Sequence, residues 1–244
     1  MPTLVPIRLA AACALALLLF VSTAALASAK KVEADLRVVA KGKAIAEETL
    51  RTGTIGIPTS GRADCFGKGT GGSGKPARVA GPTALGLLGQ AATTTPALKP
   101  LLITDAFDFG LGICGVGSYS ATSKESWYLK VNHKNPELGG ESVKLHAGDE
   151  VLWALEPYPY PNELALSAPA EATAGTPFTV TVFSYDDKGK RKAAAGVTVP
   201  GATSPTDSTG KATVVLDKPT TLVAKHGKDI PSNGVPVCVG GTCP

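Results

Sequence analysis

Alternating apolar and polar residues predict a chain built mainly from β-strands. From Val32 to Val38 the apolar side chains fall on one face, and Glu33, Asp35 and Arg37 fall on the other. A period of two is typical of a half-buried strand. We expect a second extended segment at 45–57, further strands at 127–132 and 151–155, and short strands at 143–145 and 197–199.

One segment beyond the first thirty residues has the pattern of a helix. Thr83 is a suitable N-cap, and Leu85, Leu88 and Ala92 fall on one helical face. Two glycines in this segment lower its helix propensity, so the helix must be held by packing. Two strands, a helix and then several strands form the element order of a β-grasp fold. We therefore predict a mainly β, β-grasp (α+β) domain over 30–163.

The second half of the chain has a different pattern. Pro157, Pro159 and Pro161 predict a linker, since proline cannot continue a central strand. Beyond them, short apolar alternations recur with turn residues between them, as at 178–183 and 212–216. Such spacing is typical of an immunoglobulin-like β-sandwich. We predict this sandwich over 164–236 without a helix, and a tail at 237–244 closed by a disulfide.

The first residues have the features of a signal peptide, which we place at 1–29. Arg8 precedes an uncharged run, and small residues end that run, so cleavage is expected after Ala27 or Ala29. The alternative is an uncleaved anchor, because the uncharged run is long enough to span a bilayer. We therefore expect a secreted or extracellular-surface protein, with membrane contact only if this segment is retained.

Export accounts for the cysteines beyond the signal peptide. An even set of four in an oxidising compartment predicts two disulfides, and three pairings are open. We favour Cys65–Cys114 and Cys238–Cys243, because each pair stays within one region of the chain. A structural zinc site is the alternative, but the Cys-x4-Cys spacing lacks a matching second pair.

Composition narrows the class of protein. The net charge is +4, which is too small to suggest the concentrated basic surface that nucleic acid requires. A hydrophobic content of 43% is too high for a disordered chain, and 28 Gly with 19 Pro favour short strands and turns. We expect an ordered β protein that does not bind nucleic acid.

Three segments of the first domain resemble a known family. Residues 126–133 (SWYLKVNH) and 148–153 (GDEVLW) are similar to the Trp-x-x-x-Val-Asn and Gly-Asp-x-Val-x-Trp motifs of a bacterial exported domain family of unknown function. Residues 82–88 (PTALGLL) stand where that family has its helix. The family is related to the C-terminal β-domain of transcobalamin, so the resemblance implies a β-grasp fold over 32–160. In transcobalamin-like proteins this domain closes over a corrinoid held by a helical barrel, so a corrinoid function here requires a partner.

The second domain also resembles a known class of module. Residues 175–182 (GTPFTVTV) and 206–212 (TDSTGKA) are similar to bacterial immunoglobulin-like modules. Such modules usually act as spacers or adhesive units on cell surfaces. Within this domain, four basic residues between 188 and 192 suggest a solvated turn, with contact to anionic wall polymers as the alternative.

The motifs that usually carry catalysis or metal binding are incomplete in this sequence. Gly69–Lys75 resembles a phosphate-binding loop, but Pro76 occupies the Ser/Thr position, so a flexible loop is favoured. His133, His146 and His226 lack metal-ligand spacing, and no Gly-x-Ser-x-Gly motif is present. We predict no metal, no cofactor and no enzymatic activity.

Aromatic side chains provide the candidate ligand site. Trp127 and Trp153 lie on apolar faces and are expected in the core. The candidate ligand-binding residues are three tyrosines that we expect to be exposed, together with two polar residues that suit either ligand contact or turns. These five are Tyr128, Asn132, Asp149, Tyr158 and Tyr160.

These observations favour an exported, non-enzymatic binding or surface-display protein. Its partner would be a cell-wall component, a glycan or a small flat ligand. A corrinoid-like carrier acting with a partner chain is the alternative. A hydrolase with dispersed catalytic residues has the least support.

Overall fold

The computed structural model describes residues 30–244, so the predicted signal peptide and its cleavage sites at Ala27 and Ala29 lie outside the described residues. The described chain is mainly β, with five sheets and a single α-helix. None of its helices is long and apolar enough to cross a membrane. The predicted predominance of β-structure is confirmed.

The first part of the chain contains nine strands, the α-helix and a short 3-10 helix. They are β1 (Val32–Ala40), β2 (Lys43–Thr52), β3 (Ile55–Pro58), β4 (Pro76–Val79), α1 (Ala84–Thr94), the 3-10 helix (Pro96–Leu98), β5 (Leu101–Phe107), β6 (Gly110–Val116), β7 (Tyr119–Ser120), β8 (Glu125–Val131) and β9 (Glu150–Pro157).

Four of these strands form the main sheet, in the order β2-β1-β9-β8. The central strands β1 and β9 are parallel, and the outer strands pair with them antiparallel. The first and last strands of this part of the chain therefore lie side by side in the middle of the sheet. A turn at Lys41 and Gly42, both with positive φ, joins β1 to β2.

Helix α1 begins where the sequence predicts. The Thr83 hydroxyl accepts a 3.0 Å hydrogen bond from the Gly86 amide, which caps the helix N-terminus. Most of the helix is buried, so packing offsets the low helix propensity of its glycines. It belongs to a large apolar cluster with one face of the main sheet, which includes Leu36, Leu88, Trp127 and Trp153. The prediction that both tryptophans lie in the core is confirmed.

Two smaller sheets complete this part of the molecule. Strand β3 pairs with β4, and β5, β6 and β7 form a three-stranded sheet. The predicted disulfide Cys65–Cys114 is confirmed, and it joins the loop between β3 and β4 to β6.

The second part of the chain contains seven short strands in two sheets around a separate apolar cluster. One sheet has the order β10-β12-β13, with β14 also paired to β12, and the other has the order β11-β16-β15. The strands are β10 (Glu163–Ser167), β11 (Glu171–Ala172), β12 (Phe178–Tyr185), β13 (Arg191–Ala193), β14 (Lys211–Val214), β15 (Thr220–Leu222) and β16 (Val235–Val239).

The end of this second part differs from the sequence prediction. The expected boundary at residue 236 falls inside β16, whose Val237 and Val239 are buried in the apolar cluster. The disulfide Cys238–Cys243 is confirmed, but its first cysteine belongs to this strand. The tail therefore begins at about residue 240, since burial of both valines makes β16 part of the core.

Three predicted strands are also corrected. The extended segment at 45–57 is broken, because β2 ends at Thr52 and β3 begins at Ile55. Val143 and Leu145 are buried but lie outside the strands. Residues 197–199 form only a single bridge, from Thr198 to Lys225. In the last two segments an apolar i, i+2 pair packs into the core without a continuous partner strand.

The second face of the main sheet is covered by the second part of the chain. Val39, Tyr128, Leu152 and Ala154 on this face form an apolar cluster with Ile230. The main sheet is therefore buried on both faces, one against α1 and the other against the second part of the chain.

Candidate functional site

Tyr128, predicted to be exposed, is buried and only 3% exposed. Its ring stacks on Tyr160 with centroids 3.9 Å apart, and its hydroxyl donates a 2.6 Å hydrogen bond to Asp187 Oδ1. Burial, together with the Asp187 carboxylate, raises the pKa of Tyr128, so the phenol stays protonated. The prediction of exposure is wrong because the second part of the chain covers this face of the sheet.

The other two predicted tyrosines do not complete an exposed platform. Tyr160 is partly buried, and its hydroxyl lies 2.8 Å from Ser126 Oγ. Tyr158 is 82% exposed and packs edge-on against Tyr160, with centroids 5.6 Å apart. The three rings form one cluster, but only Tyr158 is open to solvent.

Asn132 and Asp149 serve the turns around the long loop between β8 and β9. Asn132 has a φ of +50° and donates a 2.8 Å hydrogen bond to Asp149 Oδ1. It also accepts from the Glu150 amide, while Asp149 Oδ2 accepts from the His146 amide at 2.7 Å. These contacts use both side chains to close the loop, as expected of residues that tolerate left-handed backbone. They support the turn role that the sequence left open.

A different group of aromatic residues includes two exposed rings. Phe66, Phe107 and Phe109 form what we call the aromatic patch. Phe107 stacks on Phe109 with centroids 4.8 Å apart, and Phe66 packs edge-on against Phe107 at 5.4 Å. Phe109 is 83% exposed and Phe66 is 54% exposed. Exposed apolar side chains grouped in one place are typical of contact surfaces.

Local structure explains why these rings meet. Phe107 is the last residue of β5, and Phe109 lies in the turn that leads to β6. The disulfide of the neighbouring Cys65 holds Phe66 beside β6. Gly112 provides the space for Phe66, because a Cβ at Gly112 would lie 2.6 Å from the Phe66 ring. This patch was not among the predicted sites, although Phe-Asp-Phe-Gly at 107–110 is a signal for it in the sequence.

A second feature is a network of buried charges between the two parts of the chain. Arg37 donates hydrogen bonds to Glu163 Oε1 and to the Pro231 carbonyl. Lys130 is fully buried and donates to the carbonyls of Tyr185 and Asp186, at 3.0 and 2.9 Å. We call Arg37, Lys130 and Glu163 the buried charge network.

Glu163 is the anionic centre of this network. It is 2% exposed, and its Oε2 lies 3.7 Å from Lys130 Nζ. Burial would raise the pKa of Glu163, but His133, Arg37 and Lys130 together hold it below its usual value. Burial lowers the pKa of Lys130, and the Glu163 charge opposes that effect. Glu163 therefore remains ionised, and it pairs with Arg37 through one oxygen while the other lies near Lys130.

A cleft of about 570 Å³ lies beside this network and has walls from both parts of the chain. Its charged and polar lining comes mainly from β1, β2, β9 and β10, and its apolar lining from β9, β10 and β16. The carboxylates that line it are Asp35, Glu47, Glu48, Glu150 and Glu163. Arg37 and His133 are the basic residues in its wall.

The three histidines of the described residues have different surroundings. The His133 ring stacks on Tyr185, and its Nδ1 lies 3.1 Å from Glu163 Oε1. His146 is exposed, and His226 pairs with Asp229. The described residues contain no group of three or more His, Cys, Asp or Glu side chains placed to hold a metal ion.

Comparison with known proteins gives no further assignment. No protein-family model matches the chain, and no match was found among curated proteins or solved structures.

Proposed function

We propose that this protein is an exported, non-enzymatic binding protein that contacts a glycan of the cell surface through the aromatic patch. The observation that carries the proposal is the exposure of Phe109 and Phe66 on a packed aromatic support. Phe109 has one face against Phe107, and its high exposure leaves the rest of the ring available. A phenyl ring held in this way can stack on the apolar face of a sugar at low entropic cost.

The arrangement of the chain supports this proposal. The main sheet has its first and last strands parallel at its centre and one helix against one face, which is consistent with a β-grasp domain. Two small sheets around a common core are consistent with an immunoglobulin-like module, which would space or display the first domain. Two disulfides fit an extracellular location.

The test measures binding of soluble glycans and purified peptidoglycan to the unmodified protein and to the double variant Phe66→Ser, Phe109→Ser. We expect the double variant to raise Kd at least about tenfold, equivalent to ~1.4 kcal/mol. Tyr158→Ser is the matched control, because Tyr158 is as exposed as Phe109 but lies in another cluster. The proposal is overturned if the patch variant binds normally, or if the control loses as much affinity.

The second candidate is a carrier that closes over a flat corrinoid-like ligand with a partner chain. The parallel central strands and single helix favour it, because they agree with the fold implied by the resemblance to the transcobalamin β-domain. Absorbance spectroscopy with added cyanocobalamin tests it. A saturable spectral change that the patch variant abolishes would replace the glycan proposal with this one.

A further inference from the structure

We propose that the outer edge of β2 pairs with the same edge of a second copy of this chain, so that the two four-stranded main sheets join into one. The resulting dimer has its two-fold axis at Thr49. This edge is separate from the aromatic patch, so the inference goes beyond the proposed function. It rests on the unpaired backbone of β2, on the order of its charges and on the symmetry that this order allows.

The backbone of β2 is hydrogen-bonded to the main sheet along one side. The Asp35 amide donates a 2.9 Å hydrogen bond to the Asp149 carbonyl, so the backbone of Asp35 faces β9. Successive residues of a strand direct their backbone groups to opposite sides, so Leu36 faces β2 and its paired residue Glu48 faces β1. The alternate residues of β2 therefore direct their amides and carbonyls away from the sheet, and these are Glu47, Thr49 and Arg51.

This outer edge of β2 is open. Within residues 30–244, the amides and carbonyls of Glu47, Thr49 and Arg51 have no hydrogen-bond partner, and all three residues are exposed. The opposite edge of the main sheet, along β8, is covered by the loop that follows it, and the Asn135 side chain donates a 3.1 Å hydrogen bond to the Leu129 carbonyl there. Open edge strands offer a row of backbone groups that can pair with another chain. The edge of β2 is therefore suited to the addition of a strand.

The order of charges along β2 favours a second copy of this chain as the added strand. Glu47 and Arg51 stand at equal distances on either side of Thr49. In an antiparallel pair centred on Thr49, Glu47 of each copy lies opposite Arg51 of the other, and the backbone groups of both residues face the pair. Opposite charges on directly paired residues stabilise a sheet. Both copies use the same surface, as a two-fold interface requires.

Other registers of the same pair are less favourable. A pair centred on Glu47, Glu48 or Arg51 would place like charges directly opposite each other, which destabilises a sheet. Charged side chains on an edge strand often prevent association for this reason. In β2 their order makes the Thr49-centred register attractive, so the charges select one alignment of the two copies.

This symmetry also separates the two copies of the second part of the chain. The second part approaches β2 at Glu47, whose carboxylate accepts hydrogen bonds from the Gly234 amide at 2.9 and 3.0 Å. In the pair centred on Thr49, the two Glu47 residues are offset by four positions, which is about 14 Å at ~3.4 Å per residue. The two Gly234 loops therefore lie on opposite sides of the two-fold axis. On the other face of the sheet, Ala46 and Leu50 are partly buried, so pairing of the edges would also cover apolar surface.

The experiment measures sedimentation velocity of the whole exported protein from low to high micromolar concentration. We expect a reversible dimer whose fraction rises with concentration. Glu47→Arg and Arg51→Glu should each raise the Kd of the dimer at least about tenfold, because each replaces two attractive pairs with two repulsive pairs. Glu171→Arg makes the same charge change as Glu47→Arg on an exposed strand of the second part and should leave the Kd unchanged.

A mixture of the two charge variants tests the register directly. Each variant alone repels its own copy, but the Glu47→Arg chain should pair with the Arg51→Glu chain, because both pairs then join opposite charges. Recovery of the dimer in the mixture also shows that both variants are folded. The proposal is overturned if the mixture stays monomeric, or if the unmodified protein is monomeric at every concentration.

Thr49→Pro tests the backbone of the edge independently of charge. The Thr49 amide faces outward, so proline removes no backbone hydrogen bond to β1 but blocks the new ladder at the two-fold axis. We expect a monomer with the far-UV circular dichroism spectrum of the unmodified protein, and normal dimerisation of this variant would refute the proposal. The aromatic-patch variant should dimerise normally, so this proposal and the glycan proposal can fail independently.

Discussion

The two faces of the main sheet are both buried, but their contacts are chemically different. The face toward α1 is lined by apolar side chains such as Leu36, Val38 and Trp153. The face toward the second part of the chain combines an apolar cluster with Arg37 and Lys130, which meet Glu163. One sheet therefore supports a conventional core on one side and a charged interface on the other.

The two faces are therefore expected to have different roles, one in the stability of the first part and the other in the orientation of the second part. Two apolar surfaces can pack favourably in many relative orientations. Buried charges are favourable only in the few orientations that bring opposite charges together. We infer that the apolar face supplies most of the folding free energy of the first part. We expect the charged face to fix the orientation of the second part on the sheet.

The largest effect is expected from Glu163→Gln, which leaves Arg37 and Lys130 buried without their counter-charge. Loss of one member of a buried ion pair costs about 3–5 kcal/mol, measurable by urea unfolding at pH 7. The pKa of Glu163 is lowered in the folded protein, so its stabilisation is present above its usual value of 4.5 and lost as pH falls through the folded-state value. The stability of the variant should not show this dependence on acid pH. A loss of unfolding free energy below about 1 kcal/mol at pH 7 would contradict the importance of the network.

Leu36→Ala tests the apolar face in the same assay. Leu36 is fully buried beneath α1, and truncation of a buried leucine costs about 3 kcal/mol through lost burial and a cavity. Because no charge changes, we expect the loss to be the same at pH 5 and pH 8. A pH-dependent loss would mean that the two faces are not independent.

On the charged face, Glu156 is expected to make the stability of the protein depend on pH in the direction opposite to Glu163. Burial, followed by repulsion from Glu125, raises its pKa from 4.5 to about 7, against the attraction of Lys41. A raised folded-state pKa gives stability that is complete below pH 4.5 and is lost as pH rises through about 7. Glu156→Gln should therefore be more stable than the unmodified protein at pH 8, by up to about 3 kcal/mol, and similar to it at pH 4. Equal stability differences at both pH values would refute this assignment.

The smallest effect is expected from Tyr128→Phe, which keeps the ring stacked on Tyr160 and removes only the hydrogen bond to Asp187. Loss of a hydrogen bond to a charged acceptor costs about 1.5 kcal/mol. Thermal unfolding should show this loss. A change as large as that of Glu163→Gln would mean that the hydroxyl, and not the charge network, fixes the interface.

Local patterns predicted the parts of the fold that depend on nearby residues. Thr83 begins α1 because a hydroxyl at that position satisfies a free amide of the first turn. The strands β8 and β9 follow from their alternating apolar residues. The apolar pairs at 143–145 and 197–199 were misleading, because alternation indicates burial but does not supply a partner strand.

The sites depend on contacts between distant residues and were therefore less predictable. Arg37 and Lys130 occupy the polar positions of their strands, which a single sequence cannot distinguish from solvent-facing positions. Their partner Glu163 is 126 residues from Arg37, and only the tertiary arrangement brings it there. Phe66 similarly joins Phe107 and Phe109 through a disulfide that links residues 49 positions apart.

The parallel pairing of β1 with β9 has a mechanical consequence. The chain enters this part of the molecule at the start of β1 and leaves it at the end of β9, so tension on its two ends pulls these neighbouring strands in opposite directions. The six residue pairs that align 35–40 with 150–155 are then loaded in shear and must yield together, whereas a hairpin pulled from one end opens pair by pair. A protein that tethers a surface to a ligand under flow would benefit from this geometry, which resists extension at the centre of its sheet.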